Sequence, residues 1–433
     1  MTAPCTLRRT TGRTRTAGRF ASALSAGVAA ALLCAMFAPA GAARVLSAEG
    51  EQRVIKIRSG DVATLVAATA SPEYAGTVIV LEAGVDPLTG PLRLQRNQFL
   101  RGTNRYRFSG GVPAPRPDGG YADGASETVL DCTQVAGQGC VFITQGGLTG
   151  LSVFGGAIGA LVQVGGAGTT APYDVHLRRV DLRGGLRGFR MQVSAGHGSA
   201  LVEQSVMRDT SGFFSFGWQL QTGAGASVAS IDATITHSTI AGNNYGGFVA
   251  GLGSGASLDV TSHANAYVGN GGGLVLNPGR DATAALGGTS PGANGNRLTF
   301  ISESDAFFGN GVSATENSAW PHLGGITAAT ALRTGPGSAP HSNNTMVLTV
   351  KDPTFFANAV ADLLAYAALS LDGNFPHGLP STESAGHNNV LDLTLDVGAH
   401  TGSFVGCDSM PADATNQLLV HGGTLMEDCG PLS

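Results

Sequence analysis

The residues DATITHSTIAGNNYGGFVA, from Asp232 to Ala250, and DVTSHANAYVGNGGGLVLN, from Asp259 to Asn277, are two copies of one pattern. Each starts as a short alternating strand and reaches a large apolar residue. It then passes through Gly-Asn and a Gly-Gly pair into a second apolar strand. Alignment on the apolar residue extends the series to Leu182, Met207, Ile240, Tyr267, Phe307 and Phe355. The last four are followed three residues later by Asn243, Asn270, Asn310 and Asn358. A strand-and-turn unit of this size cannot bury its own apolar face, but stacked copies share a continuous core. The recurrence therefore predicts an all-β, coiled and repetitive solenoid.

Composition agrees with a folded chain. The 433 residues are 42% hydrophobic and 13% charged, the opposite of the charge-rich, apolar-poor balance of disorder. The 65 glycines lack a three-residue period, which excludes collagen. A net charge of -5 gives no reason to expect nucleic acid as partner. Lys56 and Lys351 are the only lysines, so nearly all positive charge is arginine.

Arg8, Arg9, Arg13, Arg15 and Arg19 precede an apolar run from Ala21 to Ala38, and small residues follow through Ala42 and Ala43. That layout predicts a signal peptide over 1–43 and a secreted, periplasmic or cell-surface protein without stable membrane insertion. Cys34 is the one position that would suit a lipid anchor instead. The mature chain, 44–433, keeps Cys132, Cys140, Cys407 and Cys429. Their spacing is not zinc-like, so disulfides in an oxidising compartment are expected; spacing alone does not set the pairing.

In chain order, Val54, Ile55 and Ile57 start a strand, and Ser59-Gly60-Asp61 supplies a turn and a helix N-cap. A short amphipathic helix over 62–70 would cover the open end of a solenoid, making 54–76 an N-terminal helical cap. Coils are expected from about 77 to 400. Residues 103–128 read as a Gly- and Pro-rich loop, and 281–297 and 313–344 as two further insertions. Residues 359–371 fit strand or helix equally well. The region 401–433 is expected to close the far end, pinned by Cys407 and Cys429.

The opening SGDVATLVAATASPEYAGTVIVLEAGV, followed by GPLRLQRNQFLRG, resembles the start of right-handed parallel β-helix proteins of the pectin-lyase-like superfamily. The later Gly-Asn turns resemble the asparagine ladders of that group. The resemblance covers roughly 54–408 and implies a single right-handed parallel β-helix domain. It implies no particular activity, because one fold hosts many.

Counting back from the aligned apolar residue separates the faces. Seven and five positions before it, the residues are mostly apolar and should point inward; those between should point outward. Eight before stand Asp174, Ser199, Asp232, Asp259, Thr299 and Val347; four before stand Arg178, Glu203, Thr236, His263, Glu303 and Lys351. The expected ribbon places Asp232 over Asp259 and His263 over Glu303. The candidate site residues are thus Arg178, Glu203, Asp232, Asp259, His263 and Glu303. The recurring asparagines read as scaffold, because Asn tolerates the left-handed bend and stacked amides bond along the axis.

Carboxylates on neighbouring coils would suit retaining glycosidase spacing, and two coils apart the inverting one. A lyase or epimerase needs a cation to neutralise a uronate and a base for the adjacent proton. Asp232 and Asp259 would hold calcium, and Arg178 or Lys351 would be a base only with a strongly lowered pKa. Gly196-His197-Gly198 is similar to the turn of polygalacturonase-type hydrolases, where the histidine assists a carboxylate cluster. The companion Asn-Thr-Asp, Asp-Asp and Arg-Ile-Lys segments are absent here, as is the pectate-lyase Asp-His signature. Phosphate-loop, HExxH and GxSxG motifs are absent too. Two expectations follow. One is a protein that binds an extracellular or cell-wall uronate polysaccharide and cleaves or epimerises it, lyase-type rather than hydrolase. The other is a non-catalytic surface adhesin or structural spacer, since alternating surface charges also form plain ion-pair ladders.

Overall fold

The computed structural model describes residues 53–427 except 138, 157–158, 167–168, 170–171, 213, 224–227, 281–291, 313–321, 336–337, 374, 376 and 399–401. The expected signal peptide, Cys34, Cys429 and most of the 281–297 insertion lie outside the described residues. Strand makes up 53% and helix 4%, so the protein is all-β. Two long sheets dominate, one of 19 strands and one of 12, and the pairings within them are parallel. The chain alternates between them: strand Gly196–Glu203 in the first sheet, Phe216–Thr222 in the second, then Ala229–Thr236 in the first again. Each strand pairs with its counterpart one coil later, an arrangement compatible with a parallel β-helix solenoid.

The aligned apolar residues stack as expected. Leu182 faces Met207, Met207 faces Ile240, and the column continues through Tyr267, Phe307 and Phe355. The rings of Tyr267 and Phe307 lie parallel with centroids 5.0 Å apart, and Phe307 and Phe355 follow at 5.1 Å. Offset aromatic stacking adds roughly 0.5–1.5 kcal/mol per pair to the burial itself. Gly246 has a matching structural reason. A Cβ there would lie 2.5 Å from Gly273 O, so only glycine lets the coils approach.

Each coil turns three corners. At the first, Arg179, Gln204, His237, Ala264, Ser304 and Asp352 adopt positive φ. The second corner uses Asp209, Gly242, Gly269, Gly309 and Ala357, and the third Gly255, Gly295, Asn343 and Asn388. This corrects the sequence reading in one detail. The left-handed residue at the second corner is the one before each asparagine, and the asparagine itself is free to build the ladder. Asn270 Oδ1 accepts from Asn243 N at 3.0 Å and from Asn243 Nδ2 at 3.1 Å, and Asn270 donates in turn to Asn310 Oδ1 at 3.1 Å. A second ladder, Asn296–Asn344–Asn389–Asn416, runs along the third corner.

A helix does form over Val62–Ala70, started by Asp61, whose side chain accepts from Thr64 N at 3.2 Å. Leu65 is fully buried, and Gln98 Nε2 ties down the Ala68 carbonyl at 3.1 Å. The undecided segment 359–371 contains a strand, Leu363–Leu371, in the second sheet. Cys132 and Cys140 form a disulfide, and Cys407 is buried and disulfide-bonded.

Candidate functional site: a carboxylate groove on the first sheet

The outer face of the first sheet carries the predicted columns in register. Asp174 pairs with Ser199, Ser199 with Asp232, Asp232 with Asp259, and Asp259 with Thr299. The second column runs Arg178, Glu203, Thr236, His263, Glu303, Lys351 and on to Asp396. Strands alternate side chains between faces, and Val175, Leu177, Val260 and Phe300 fill the interior, so these polar columns stand outside.

A groove of about 520 Å³ lies along the face. Asp174, Asp232 and Asp259 line one side with Ser199 and Thr299, while Leu201, Thr234, Thr261 and Ile301 run down the middle. Asp174, Asp232 and Asp259 are exposed, and Ile301 is 37% exposed. Thr299 Oγ1 is buried without a hydrogen-bond partner. His197 stands at the rim, with Nδ1 3.0 Å from Ser230 Oγ and Nε2 3.7 Å from Asp232 Oδ2. The structure thus brings His197, Asp232 and Asp259 to one groove and sets Arg178, Glu203, His263 and Glu303 along its border.

The border is electrostatically paired. His176 Nε2 lies 2.8 Å from Glu203 Oε2, and this contact first of all holds the Glu203 carboxyl below its ordinary range. His263 Nδ1 is 3.7 Å from Glu303 Oε2, too far for a hydrogen bond, and the nitrogen is buried without one. Glu303 accepts from Lys351 Nζ at 2.6 Å, which lowers the carboxyl and raises the exposed ammonium. A base needs the opposite shift, so Lys351 does not qualify for that role. His237, at its left-handed corner, packs edge-on against His263 with centroids 5.4 Å apart; burial, then the His263 charge, lowers its pKa.

The 103–128 loop sits beside this border rather than over the groove. Its hairpin, Phe108–Ser109 with Val112–Pro113, is fixed by Thr239 Oγ1 donating to Pro113 O at 2.7 Å. A Cβ on Gly111 would come 3.0 Å from His237. Behind it, buried Asp181 accepts twice from Arg208, at 3.2 and 3.1 Å, and Tyr121 lies under that guanidinium. Of the 313–344 insertion, 313–321 lie outside the described residues, and Ile326–Thr334 is a strand of the second sheet, away from the groove's strands.

Asp232 and Asp259 are the acidic neighbours proposed to hold calcium. Among the described residues no group of three or more His, Cys, Asp or Glu side chains is gathered to hold a metal ion. Two adjacent carboxylates fit a cation completed by water and by an anionic ligand, not a closed resident site. Sequence reasoning missed His176, which heads the outward column between the two counted; the run His176, Leu201, Thr234, Thr261, Ile301 was readable from the same alignment.

Fold and groove together define a parallel all-β protein with an elongated carboxylate-lined face. No family model, no curated protein and no solved structure matches the chain.

Proposed function

We propose that this chain is a secreted right-handed parallel β-helix of the pectin-lyase-like kind, its N-terminal helix capping the first coil. In this reading it binds a uronate polysaccharide lengthwise on the first sheet. The observation that carries it is the groove itself: three aspartates in one column, a hydroxyl and aliphatic floor, and a border of His, Arg and Glu. Sugar hydroxyls donate well to carboxylates, and aliphatic floor residues suit the apolar face of a pyranose ring. A uronate carboxylate would be repelled by the aspartates unless a divalent cation bridged them, so Asp232 and Asp259 assign calcium to the complex rather than to the free protein.

A catalytic step is the second reading, favoured by the His176–Glu203 contact. Glu203 orients the imidazole, and His176 would take the C5 proton of a uronate. The electron pair then forms the C4–C5 double bond as the C4 oxygen leaves with a proton from solvent; return of the proton to the other face gives epimerisation instead. The non-catalytic adhesin remains the alternative.

The test is binding of the mature protein to polygalacturonate and alginate, with calcium or with chelator, followed by ultraviolet absorbance for unsaturated product. Calcium-dependent binding supports the first reading, and new absorbance supports the second. Binding without product on every polymer favours the adhesin. No binding to any uronate, with or without calcium, removes the groove assignment.

A further inference from the structure

We propose that the outer face of the second sheet carries an oxyanion site, for a sulfate or carboxylate group, built on Arg187 and Arg190. Both stand on strand Arg187–Val193. Arg190 is flanked by Gln163 on one neighbouring strand and Gln219 on the other, and Gln192 pairs with Gly165 and Gln221. The first of these columns reads Arg93, Phe142, Gln163, Arg190, Gln219, Phe248. The second reads Gly165, Gln192, Gln221, Ala250, Asn277. Neither contains a carboxylate.

The hydrogen bonds consume the acceptors and leave donors. Arg187 Nε donates to Gln219 Oε1 at 2.6 Å and Arg187 Nη1 to Gly159 O at 3.1 Å. Arg190 Nη2 donates to Gln192 Oε1 at 2.8 Å, and Gln219 Nε2 to Gln221 Oε1 at 2.6 Å. Every carbonyl oxygen of Gln192, Gln219 and Gln221 is therefore taken. What remains are N–H groups: those of Gln192 and Gln221, Nη2 of Arg187, and Nε of Arg190, which is buried and unpartnered. Gln163 Oε1 is an unused acceptor on the next strand, but a neutral oxygen cannot offset two cations.

Among the described residues neither guanidinium pairs with a carboxylate. Burial, followed by the charge of Arg190, pushes Arg187 down to about 10, and burial lowers Arg190 too. Two half-buried like charges without a counter-ion are costly in the free protein, and a fork of donors matches an oxyanion. Arg187 also lies over the Phe216 ring at 5.6 Å, which fixes its plane. Gln219 and Gln221 are only 5% exposed, while the two arginines stay reachable from solvent. The site lies on a different sheet from the aspartate groove and does not depend on that assignment.

The experiment is thermal unfolding of the full mature chain in sodium sulfate against sodium chloride at equal ionic strength. The wild type should gain a saturable sulfate-specific rise in Tm. Arg190→Gln should lose that rise and, without sulfate, melt no lower than wild type, because a like-charge contact is removed. Arg190→Lys keeps the charge but loses the fork, and should need about tenfold more sulfate. Binding to dextran sulfate and to polygalacturonate separates the sources: at least tenfold weaker retention of Arg190→Gln assigns a polymer-borne group, whereas a response to free sulfate alone assigns the free anion. A sulfate rise equal in wild type and both variants is general salting and overturns the site, as does no rise at all with no polymer binding.

Discussion

His263 stands directly over Glu303: the two are partners on neighbouring strands, with His263 Nδ1 3.7 Å from Glu303 Oε2. The same carboxylate receives Lys351 from the next coil at 2.6 Å. Residues tens of positions apart in the chain are thereby consecutive in a charge row. Such a row on a solvated face is screened and contributes little to stability. Glu303→Gln should therefore leave the urea midpoint at neutral pH essentially unchanged. Its sign with pH is fixed: the Glu303 carboxyl is depressed in the folded state, so any contribution is present above the usual Glu range and lost as pH falls through it. Unfolding of wild type and variant at pH 7 and pH 4 checks this, and a large destabilisation by Glu303→Gln would show the row to be a structural clamp.

The asparagine ladder behaves differently because it is buried. Asn270 is fully buried and its amide makes four hydrogen bonds: it accepts from Asn243 N and Nδ2 and donates to Ile240 O and Asn310 Oδ1, all at 3.0–3.1 Å. Asn270→Ala would leave donors and acceptors on the two flanking coils unsatisfied, at about 1–3 kcal/mol for each one stranded. A loss of about 3 kcal/mol or more in urea unfolding is expected, against no resolvable change for an exposed ribbon residue such as Asp259→Ala.

How far these relations were legible depended on fixed offsets. Between strands of the first sheet and the aligned apolar residue no insertion intervenes, so the columns of Asp232 and His263 could be counted directly. Across the second corner the connection varies: Leu182 to Phe189, Met207 to Trp218 and Phe307 to Ile326 are unequal steps to residues that face the second sheet. Arg187 and Arg190 were hidden by that variation. The third-corner ladder was hidden differently, since Ala229 and Ala256 hold in earlier coils the offset that Asn296 and Asn344 hold later. Left-handed corners were misplaced by one residue because Asn and Gly both favour that conformation, and only the backbone shows which one adopts it.

In the groove, Asp232 and Asp259 are exposed neighbours whose negative charges a ligand or cation must accommodate. Asp232→Asn with Asp259→Asn should leave Tm unchanged or slightly raised, because a like-charge contact disappears. The same double variant should weaken calcium-dependent retention on polygalacturonate at least tenfold, about 1.4 kcal/mol. Affinity electrophoresis with and without chelator measures it. Retention that survives both substitutions would move the binding surface elsewhere.

Inside the coil lies a carboxyl with a different fate. Asp305 is fully buried at the first corner, where Oδ1 accepts from Asn265 N and Oδ2 from Ser302 Oγ at 2.7 Å. Burial outweighs those hydrogen bonds and raises its pKa from 3.8 to about 6. A carboxyl raised on folding favours the protonated state: its contribution is fully present below the unfolded value near 4 and is lost as pH rises through 6. A rise of that size corresponds to a loss of about 3 kcal/mol at most. Asn stands at the equivalent corner position one coil earlier, Asn265, and it can keep the oxygen that Asn265 N needs. Asp305→Asn should therefore be more stable than wild type above pH 6 and converge with it near pH 4. Urea unfolding across that range decides the matter: a variant that is weaker at pH 7 would mean that ionised Asp305 holds the corner by its charge.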